Sequence, residues 1–238
     1  MTIAIGINFG IYILLIADTR TVYFDSKEKI IDHIDESEKI TKTKQGLMTG
    51  AGNLALLDAV KDRLAETEVK DTNEIIKIIK EEQIFINKRT EFAELDSYKN
   101  IIEATGWIFT YITLKNKEPI LRLAIYHPSI GSEIGLYDEN KPAAIFPAEA
   151  SKQESEELGQ ALENIIKPFN EFKNFSASVQ YHIQCIGSFI DFIKPKFPSI
   201  SSLCQIGIHV IEGKWISPII KPREETKLSI TLDYEEKD

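Results

Sequence analysis

Cysteine is scarce in this 238-residue chain, which contains only Cys185 and Cys204. The two do not form a CxxC pair, so we expect neither a disulfide framework nor a cysteine-based zinc site. The four histidines also lack the spacing of metal ligands: His33, His127, His182 and His209. We therefore expect no metal site, and the low cysteine content favours a cytoplasmic location.

The chain lacks an excess of positive charge. It has 28 Lys and Arg residues against 37 Asp and Glu residues, which gives a formal net charge of −9. Binding to nucleic acid requires a basic surface that neutralises phosphates. The lysines are spread along the chain, so we expect no nucleic-acid partner.

Long apolar segments are also missing. The apolar segment Ile11–Ala17 is too short to span a bilayer, and Asp18 follows it directly. The N-terminus has no basic region of the kind that begins a signal peptide. We expect no association with a membrane, and we expect the fold to start at the start of the chain.

The apolar patterns that are present predict an alternation of strands and helices. The predicted order is a group of strands, a pair of helices, a second group of strands, a second pair of helices and a last hairpin. The predicted strands are Ile3–Asn8, Ile11–Asp18, Lys39–Thr43, Gly46–Thr49, Trp107–Leu114, Ile120–Tyr126, Ile134–Tyr137, Ala143–Phe146, Gln205–Ile211 and Lys214–Ile219. The predicted helices are Asn53–Glu66, one that begins near Asp71, Ser151–Ile166 and Ser178–Ile193. Residues 21–38 are predicted to form an irregular loop or a projecting ribbon.

No change of composition, flexible linker or internal repeat divides the chain. We therefore predict a single domain over residues 1–221, followed by a charged C-terminal tail over residues 222–238. Sheets in the middle with helices outside are the simplest arrangement of these elements.

Chemistry-bearing residues cluster in the first quarter of the sequence. Thr2 is the second residue, Asp18 ends the second predicted strand in "ADTR", and Lys39 begins the next strand in "EKI". Gly50 and Gly52 flank the turn in "GAGNLALLDAV" before the first helix. Taken singly, each has an ordinary structural interpretation, as a strand-end, surface or turn residue.

Together these four segments resemble a proteasome-type β-subunit, an N-terminal nucleophile (Ntn) hydrolase, and the resemblance is greatest to the bacterial Anbu branch. It is strongest over residues 1–66 and extends as element order to about residue 220. It implies an α+β fold, a four-layer αββα sandwich of two antiparallel sheets flanked by helices. It also implies that no cofactor is needed.

The resemblance implies a role for each residue. Removal of Met1 would make Thr2 the nucleophile, with its own α-amine as the base. Lys39 would keep the site electropositive, and Asp18 would hold Lys39 by an ion pair. Gly52, or alternatively Gly50, would supply the backbone N–H that binds the oxyanion.

The C-terminal half departs from the family pattern. Aligned with the family, Ser199 occupies the position of a supporting serine, whereas Lys196 occupies the position of an aspartate. Lysine cannot accept a hydrogen bond from the threonine amine. The family's loop before the third helix is replaced by "FPAEAS", so Ser151 is only a weak candidate for a second supporting serine.

The sequence therefore predicts a threonine-type peptidase that works as a homo-oligomer, in a ring, a double ring or an open helical assembly. Two alternatives stay open: a proteasome-like subunit that assembles without cleaving, and an amidohydrolase of the same fold that acts on a small molecule. The sequence identifies neither the substrate nor an ATPase partner.

Overall fold

Two antiparallel sheets form the centre of this computed structural model, which describes residues 2–25, 30–69, 71–89, 102–128, 130–222 and 233–234. The strands are β1 (Ala4–Asn8), β2 (Ile13–Asp18), β3 (Thr21–Phe24), β4 (Ile30–Ile34), β5 (Thr41–Lys42), β6 (Leu47–Ala51), β7 (Gly106–Lys115), β8 (Glu118–Tyr126), β9 (Gly135–Tyr137), β10 (Pro142–Ile145), β11 (Cys204–Val210), β12 (Gly213–Ile216) and β13 (Asp233–Tyr234). The long helices within these ranges are α1 (Leu54–Glu66), α2 (Thr72–Arg89), α3 (Lys152–Ile165) and α4 (Phe175–Ile193).

The strands divide into two main sheets and a ribbon. The larger sheet has the order β10-β1-β2-β11-β12-β13, and the smaller has the order β5-β6-β7-β8-β9. Among the strands that the structure describes, β3 and β4 pair only with each other and form a separate two-stranded ribbon. Antiparallel pairing of β2 with both β1 and β11 places the first strands of the chain beside the last hairpin.

Strand β2 shows why the fold has layers. Its residues are all buried, and they point alternately to the two faces of the sheet. Leu14 and Ile16 belong to the core beneath α3 and α4, whereas Leu15 and Ala17 belong to the core between the two sheets. The nearly continuous apolar sequence of this strand is thus explained, because both of its faces are covered.

The cores confirm the predicted four-layer arrangement. One core joins α3 and α4 to the larger sheet, a second fills the space between the sheets, and a third joins α1 and α2 to the smaller sheet. The order of layers is therefore helices, sheet, sheet, helices. This is the α+β sandwich that the sequence predicted.

Three of the helices begin at or near the predicted residues, and each has a side-chain N-cap. Asn53 accepts a hydrogen bond from the backbone of Leu56 at the start of α1, and Ser151 forms a capping box with Glu154 at the start of α3. Helix α4 begins at Phe175, three residues before the predicted start, because Asn174 caps it by accepting a bond from Ala177 N. In the described ranges, no helix combines the length and the apolar character that crossing a bilayer requires.

Two segments extend the predicted organisation. Residues 21–38, predicted as a loop or a ribbon, contain the β3–β4 ribbon. Within the predicted tail, β13 pairs with β12, with Tyr234 opposite Gly213. The tail thus contributes to the larger sheet, and the domain boundary at residue 221 stays a prediction.

Candidate active site

The end of β2 places Asp18 in the interior, where its side chain is fully buried. Its carboxylate accepts hydrogen bonds from three backbone N–H groups: Ile3 N at 2.8 Å, Arg20 N at 3.0 Å and Ser201 N at 3.0 Å. Burial raises the pKa of Asp18 to about 6, although these hydrogen bonds and the charge of Lys39 act in the opposite direction. Asp18 therefore joins the start of the chain to the segment before β11.

Lys39 lies just before β5 and is also buried. Its ammonium donates to Thr21 Oγ1 at 2.7 Å, and Thr21 Oγ1 in turn donates to Ser37 Oγ at 2.9 Å. Its backbone N–H donates to Gln205 Oε1 at 2.8 Å. Burial lowers the pKa of Lys39, and the charges of Asp18 and Asp58 partly oppose this shift. The lysine is thus held at both its backbone and its side chain.

Thr2 lies beside the same turn of the chain. Its side chain is buried, and its Oγ1 donates a long hydrogen bond of 3.4 Å to Arg20 O. Because Arg20 and Thr21 are consecutive, Thr2 and Lys39 contact two neighbouring residues. The structure therefore brings the three predicted residues Thr2, Asp18 and Lys39 to one place.

The contact between Asp18 and Lys39 differs from the expected one. Among the described residues, neither takes part in a salt bridge within 4.0 Å. Their charges interact through space, while Asp18 binds backbone N–H groups and Lys39 binds Thr21. The reason is that three donors already surround the carboxylate where β2 ends.

The two glycines of the turn before α1 have different surroundings. Gly52 has a φ of +134°, and a Cβ there would lie 2.4 Å from Thr105 Oγ1. This conformation favours glycine, and only glycine fits against Thr105. Gly50 lies in β6, where a Cβ would come within 2.5 Å of Gly106 O and 2.6 Å of Leu57 Cδ2. Gly50 therefore allows α1 to pack on the sheet, and the oxyanion role of either glycine stays a prediction.

Ser199 lies in the segment that contacts the end of β2. It is fully buried, and its hydroxyl has no hydrogen-bond partner among the described residues. Two residues later, Ser201 N binds Asp18, and just before it Pro198 O accepts a bond from Arg20. Ser199 is thus positioned next to the site, with a hydroxyl still available for a hydrogen bond.

Lys196 and Ser151 lie outside this group of residues. The Lys196 ammonium is 2.6 Å from Glu154 Oε1, and its side chain is 64% exposed. Ser151 is the N-cap of α3 and binds the same Glu154 through the capping box. Lys196, which the sequence comparison predicted at the position of a supporting aspartate, is therefore held at the surface by an acid of the helix start.

Sequence reasoning missed several polar groups that support the site. Thr21 and Gln205 hold Lys39, Ser37 accepts a hydrogen bond from Thr21, and Ser201 holds Asp18. For Gln205 a signal existed, because it is a polar residue within the otherwise largely apolar strand β11. No sequence signal pairs Ser201 with Asp18, which are 183 positions apart.

This arrangement can support nucleophilic chemistry at Thr2. A buried ammonium near a hydroxyl stabilises negative charge on oxygen, because the low dielectric of the interior strengthens the interaction. In the described part of the chain, no group of three or more His, Cys, Asp and Glu side chains is arranged to hold a metal ion.

Comparison with known proteins finds similarity in three-dimensional structure. No family model and no curated protein sequence matches the chain. It is similar to the solved structure of an Anbu (Gly-1) mutant from Hyphomicrobium sp. strain MC1, with a TM-score of 0.57 and 13% identity over 95% of this chain and 90% of that one. It is also similar to an Anbu structure from the same strain, with a TM-score of 0.56 and 12% identity over 94% of this chain and 89% of that one. The chain therefore has the fold of these Anbu structures.

Proposed function

We propose that this protein is a threonine-type N-terminal nucleophile peptidase. The observation that carries the proposal is the meeting of three groups at the Arg20–Thr21 turn: the Thr2 hydroxyl, the buried Lys39 ammonium and the buried Asp18 carboxylate. The likeness to Anbu structures supports the fold on which this reading depends.

The chemistry begins with removal of Met1. A free α-amine at Thr2 has a reference pKa of about 7.7–8.0, so it can accept the hydroxyl proton near neutral pH. The Thr2 oxygen then attacks the peptide carbonyl and forms an ester, and the amine returns the proton to the leaving amine. Water hydrolyses the ester and regenerates Thr2.

The other residues assist these steps. Lys39 stabilises the developing negative charge at Thr2, and its hydrogen bond to Thr21 fixes its position. Asp18 holds Ile3 and Arg20, the neighbours of Thr2 in the chain and in space. Gly52 is assigned as the oxyanion donor, and Ser199 as a hydrogen-bond partner of the Thr2 amine.

The working particle is proposed to be a homo-oligomer in the cytoplasm, in a ring, a double ring or an open helical assembly. The second candidate function is a subunit that assembles without cleaving. It is favoured by the placement of Lys196 at the surface, because the site then lacks the carboxylate that the family has at that position.

The test begins with the intact mass of the protein from its native host. We expect the chain to weigh one methionine less than the encoded sequence. Mature protein should hydrolyse peptides and should be labelled at Thr2 by a threonine-reactive electrophile. Retention of Met1 on the whole population would favour the assembly subunit.

Substitutions in the mature protein test which residues take part in catalysis. We expect Lys39→Ala to lower turnover at least 100-fold, a loss of the size seen when charge stabilisation is removed from other enzymes. Lys39→Arg should also fail, because a planar guanidinium does not fill an ammonium site. Thr2→Ser should keep part of the activity. Lys196→Ala is the matched control and should retain full activity. Equal hydrolysis and labelling by Lys39→Ala would reject the mechanism.

A further inference from the structure

His182 of α4 is a fully buried titratable side chain that the proposed mechanism does not use. Its ring packs against three aromatic rings, with centroid distances of 4.3 Å to Phe9, 5.3 Å to Phe172 and 5.0 Å to Tyr181. Phe9 directly follows β1, and Phe172 belongs to residues 166–174, which connect α3 to α4. His182 therefore joins three parts of the fold: α4, this connection and the β1–β2 turn.

Hydrogen bonds at both ring nitrogens define the protonation state of His182. Its Nε2 accepts a bond of 3.3 Å from the backbone N–H of Lys167, so this nitrogen carries no proton. Its Nδ1 lies 2.8 Å from Ser178 O, and because a carbonyl oxygen can only accept, Nδ1 carries the proton. The folded structure thus requires the neutral imidazole in one tautomer.

A second proton on the ring would be placed at Nε2, where it would point at a donor. Two N–H groups would then face each other, and the hydrogen bond that ties Lys167 of the connection to α4 would be lost. Burial lowers the pKa of His182, while the bond to Ser178 O acts in the opposite direction. The ring therefore gains its charge more easily when this region is open than when it is closed.

The other titratable groups in these elements do not compensate a charge on His182. The Lys167 ammonium and the Glu171 carboxylate of the connection are 3.9 Å apart, and both side chains are about half exposed. Burial raises the pKa of Tyr12, in the β1–β2 turn, and of Tyr181, so both stay neutral in acid. No salt bridge within 4.0 Å joins His182 to another described residue.

We propose that His182 is a proton-sensitive latch, which holds residues 166–174 against α4 and the β1–β2 turn while the imidazole is neutral and releases them when acid protonates it. The latch belongs to the outer helical layer and does not depend on peptidase activity. Because the ordinary pKa is 6.5 and the folded one is lower, the stabilisation is fully present above about pH 6.5. It decreases as the pH falls below that value and levels off below the folded pKa.

Amide hydrogen exchange of the full-length protein measures the opening of the connection. The intrinsic exchange rate depends on pH and is divided out, which leaves the opening equilibrium of residues 166–174. We expect this equilibrium constant to increase up to about tenfold between pH 7.5 and pH 5.5, because the open form binds a proton that the closed form excludes.

Two variants show whether the effect comes from His182. His182→Gln keeps an amide oxygen that can accept from Lys167 N but cannot titrate, so the opening of the connection should no longer depend on pH. His33→Gln is the matched control, because it makes the same change in a side chain that is 49% exposed. It should retain the pH dependence of the wild type. The titration of Asp18 is common to all three proteins, so it cancels in the comparison.

Imidazole ¹⁵N chemical shifts of the wild type give a second measurement that needs no substitution at His182. They should show a proton on Nδ1 and none on Nε2, and protonation at a lower pH than that of exposed His33. The opposite tautomer would overturn the latch. Protonation of His182 together with His33 while residues 166–174 stay protected, or a pH dependence that folded His182→Gln retains, would also overturn it.

Discussion

Asp18 shows how one buried side chain can organise a site through backbone contacts. Its carboxylate binds the N–H groups of Ile3, Arg20 and Ser201, which belong to three different segments. It therefore positions Thr2 and the Ser199 segment relative to the end of β2. A carboxylate that binds three donors is satisfied without a direct ion pair, which explains why Lys39 binds Thr21 instead.

The raised pKa of Asp18 predicts a pH dependence of stability. Because its folded pKa, about 6, exceeds the ordinary value of 3.8, folding favours the protonated form. This stabilisation is fully present below about pH 3.8 and is lost as the pH rises through about 6. Relative to Asp18→Asn, which cannot titrate, the wild type should lose about 2 kcal/mol of unfolding free energy between pH 4 and pH 7.

Chemical denaturation of both proteins at a series of pH values checks this prediction. The cost of placing an amide among the three N–H donors does not depend on pH. The informative quantity is therefore how the difference in unfolding free energy between the wild type and Asp18→Asn changes with pH. If the wild type instead becomes more stable relative to Asp18→Asn as the pH rises, the three backbone hydrogen bonds lower the pKa of Asp18 by more than burial raises it, and the prediction is wrong.

The β3–β4 ribbon is anchored at its base, and the anchor also determines where Lys39 lies. Arg20 binds Asp35 through Nε and through Nη2, the latter at 2.8 Å, and donates from Nη1 to Pro198 O at 2.8 Å. Thr19 Oγ1 donates to the backbone oxygen of Asp35, which directly follows β4. These contacts hold the two ends of the ribbon together, one beside Thr2 and the other leading to Lys39.

Arg20→Lys is predicted to loosen this ribbon. Lysine cannot bind Asp35 through two parallel hydrogen bonds and reach Pro198 as well, so we expect a loss of about 1–2 kcal/mol. Amide hydrogen exchange of β3 and β4 should become faster, while exchange of the two main sheets should change little. Arg122→Lys on β8 is the matched control. Unchanged exchange in the ribbon of Arg20→Lys would show that the backbone contacts of Thr19 suffice.

At the scale of the whole molecule, apolar side chains are exposed on both outer layers of helices. Ile84 of α2 is 55% exposed, and Phe192 of α4 is 81% exposed. Most of the isoleucines of α2 are buried in the core between α1, α2 and the smaller sheet, so the large apolar side chains that α2 leaves exposed lie in its C-terminal turns. Exposed apolar surface on opposite layers suits contacts with further copies of the chain.

We predict that the protein sediments as a species several times larger than the 27.0 kDa chain at micromolar concentration. Ile84→Asp and Phe192→Asp should each reduce the sedimentation coefficient if their layer forms a contact. Leu114→Asp, at the exposed end of the β7–β8 hairpin, is the control and should have no effect. A clean monomer of the wild type would reject the assembly and leave the fold unaffected.

The sequence by itself determined most of the elements, because these depend on local patterns, whereas the four layers were implied by the resemblance to a known family. Apolar periodicity distinguishes strand from helix, and polar caps such as Asn53 and Ser151 mark where helices begin. The same local signals marked Asp18 at the end of a strand and Gly52 before a helix, since a strand end and a turn each favour particular residues.

Only the tertiary structure decided which polar groups meet. Ser201 binds Asp18 because β2 and β11 are neighbours in one sheet, and nothing near either residue encodes that pairing. Lys61 and Lys196 are both lysines in charged surroundings, yet α1 buries the first against β5 while Glu154 holds the second at the surface. The direction in which a long, flexible side chain points depends on the partners that packing brings to it, and those partners come from distant parts of the chain.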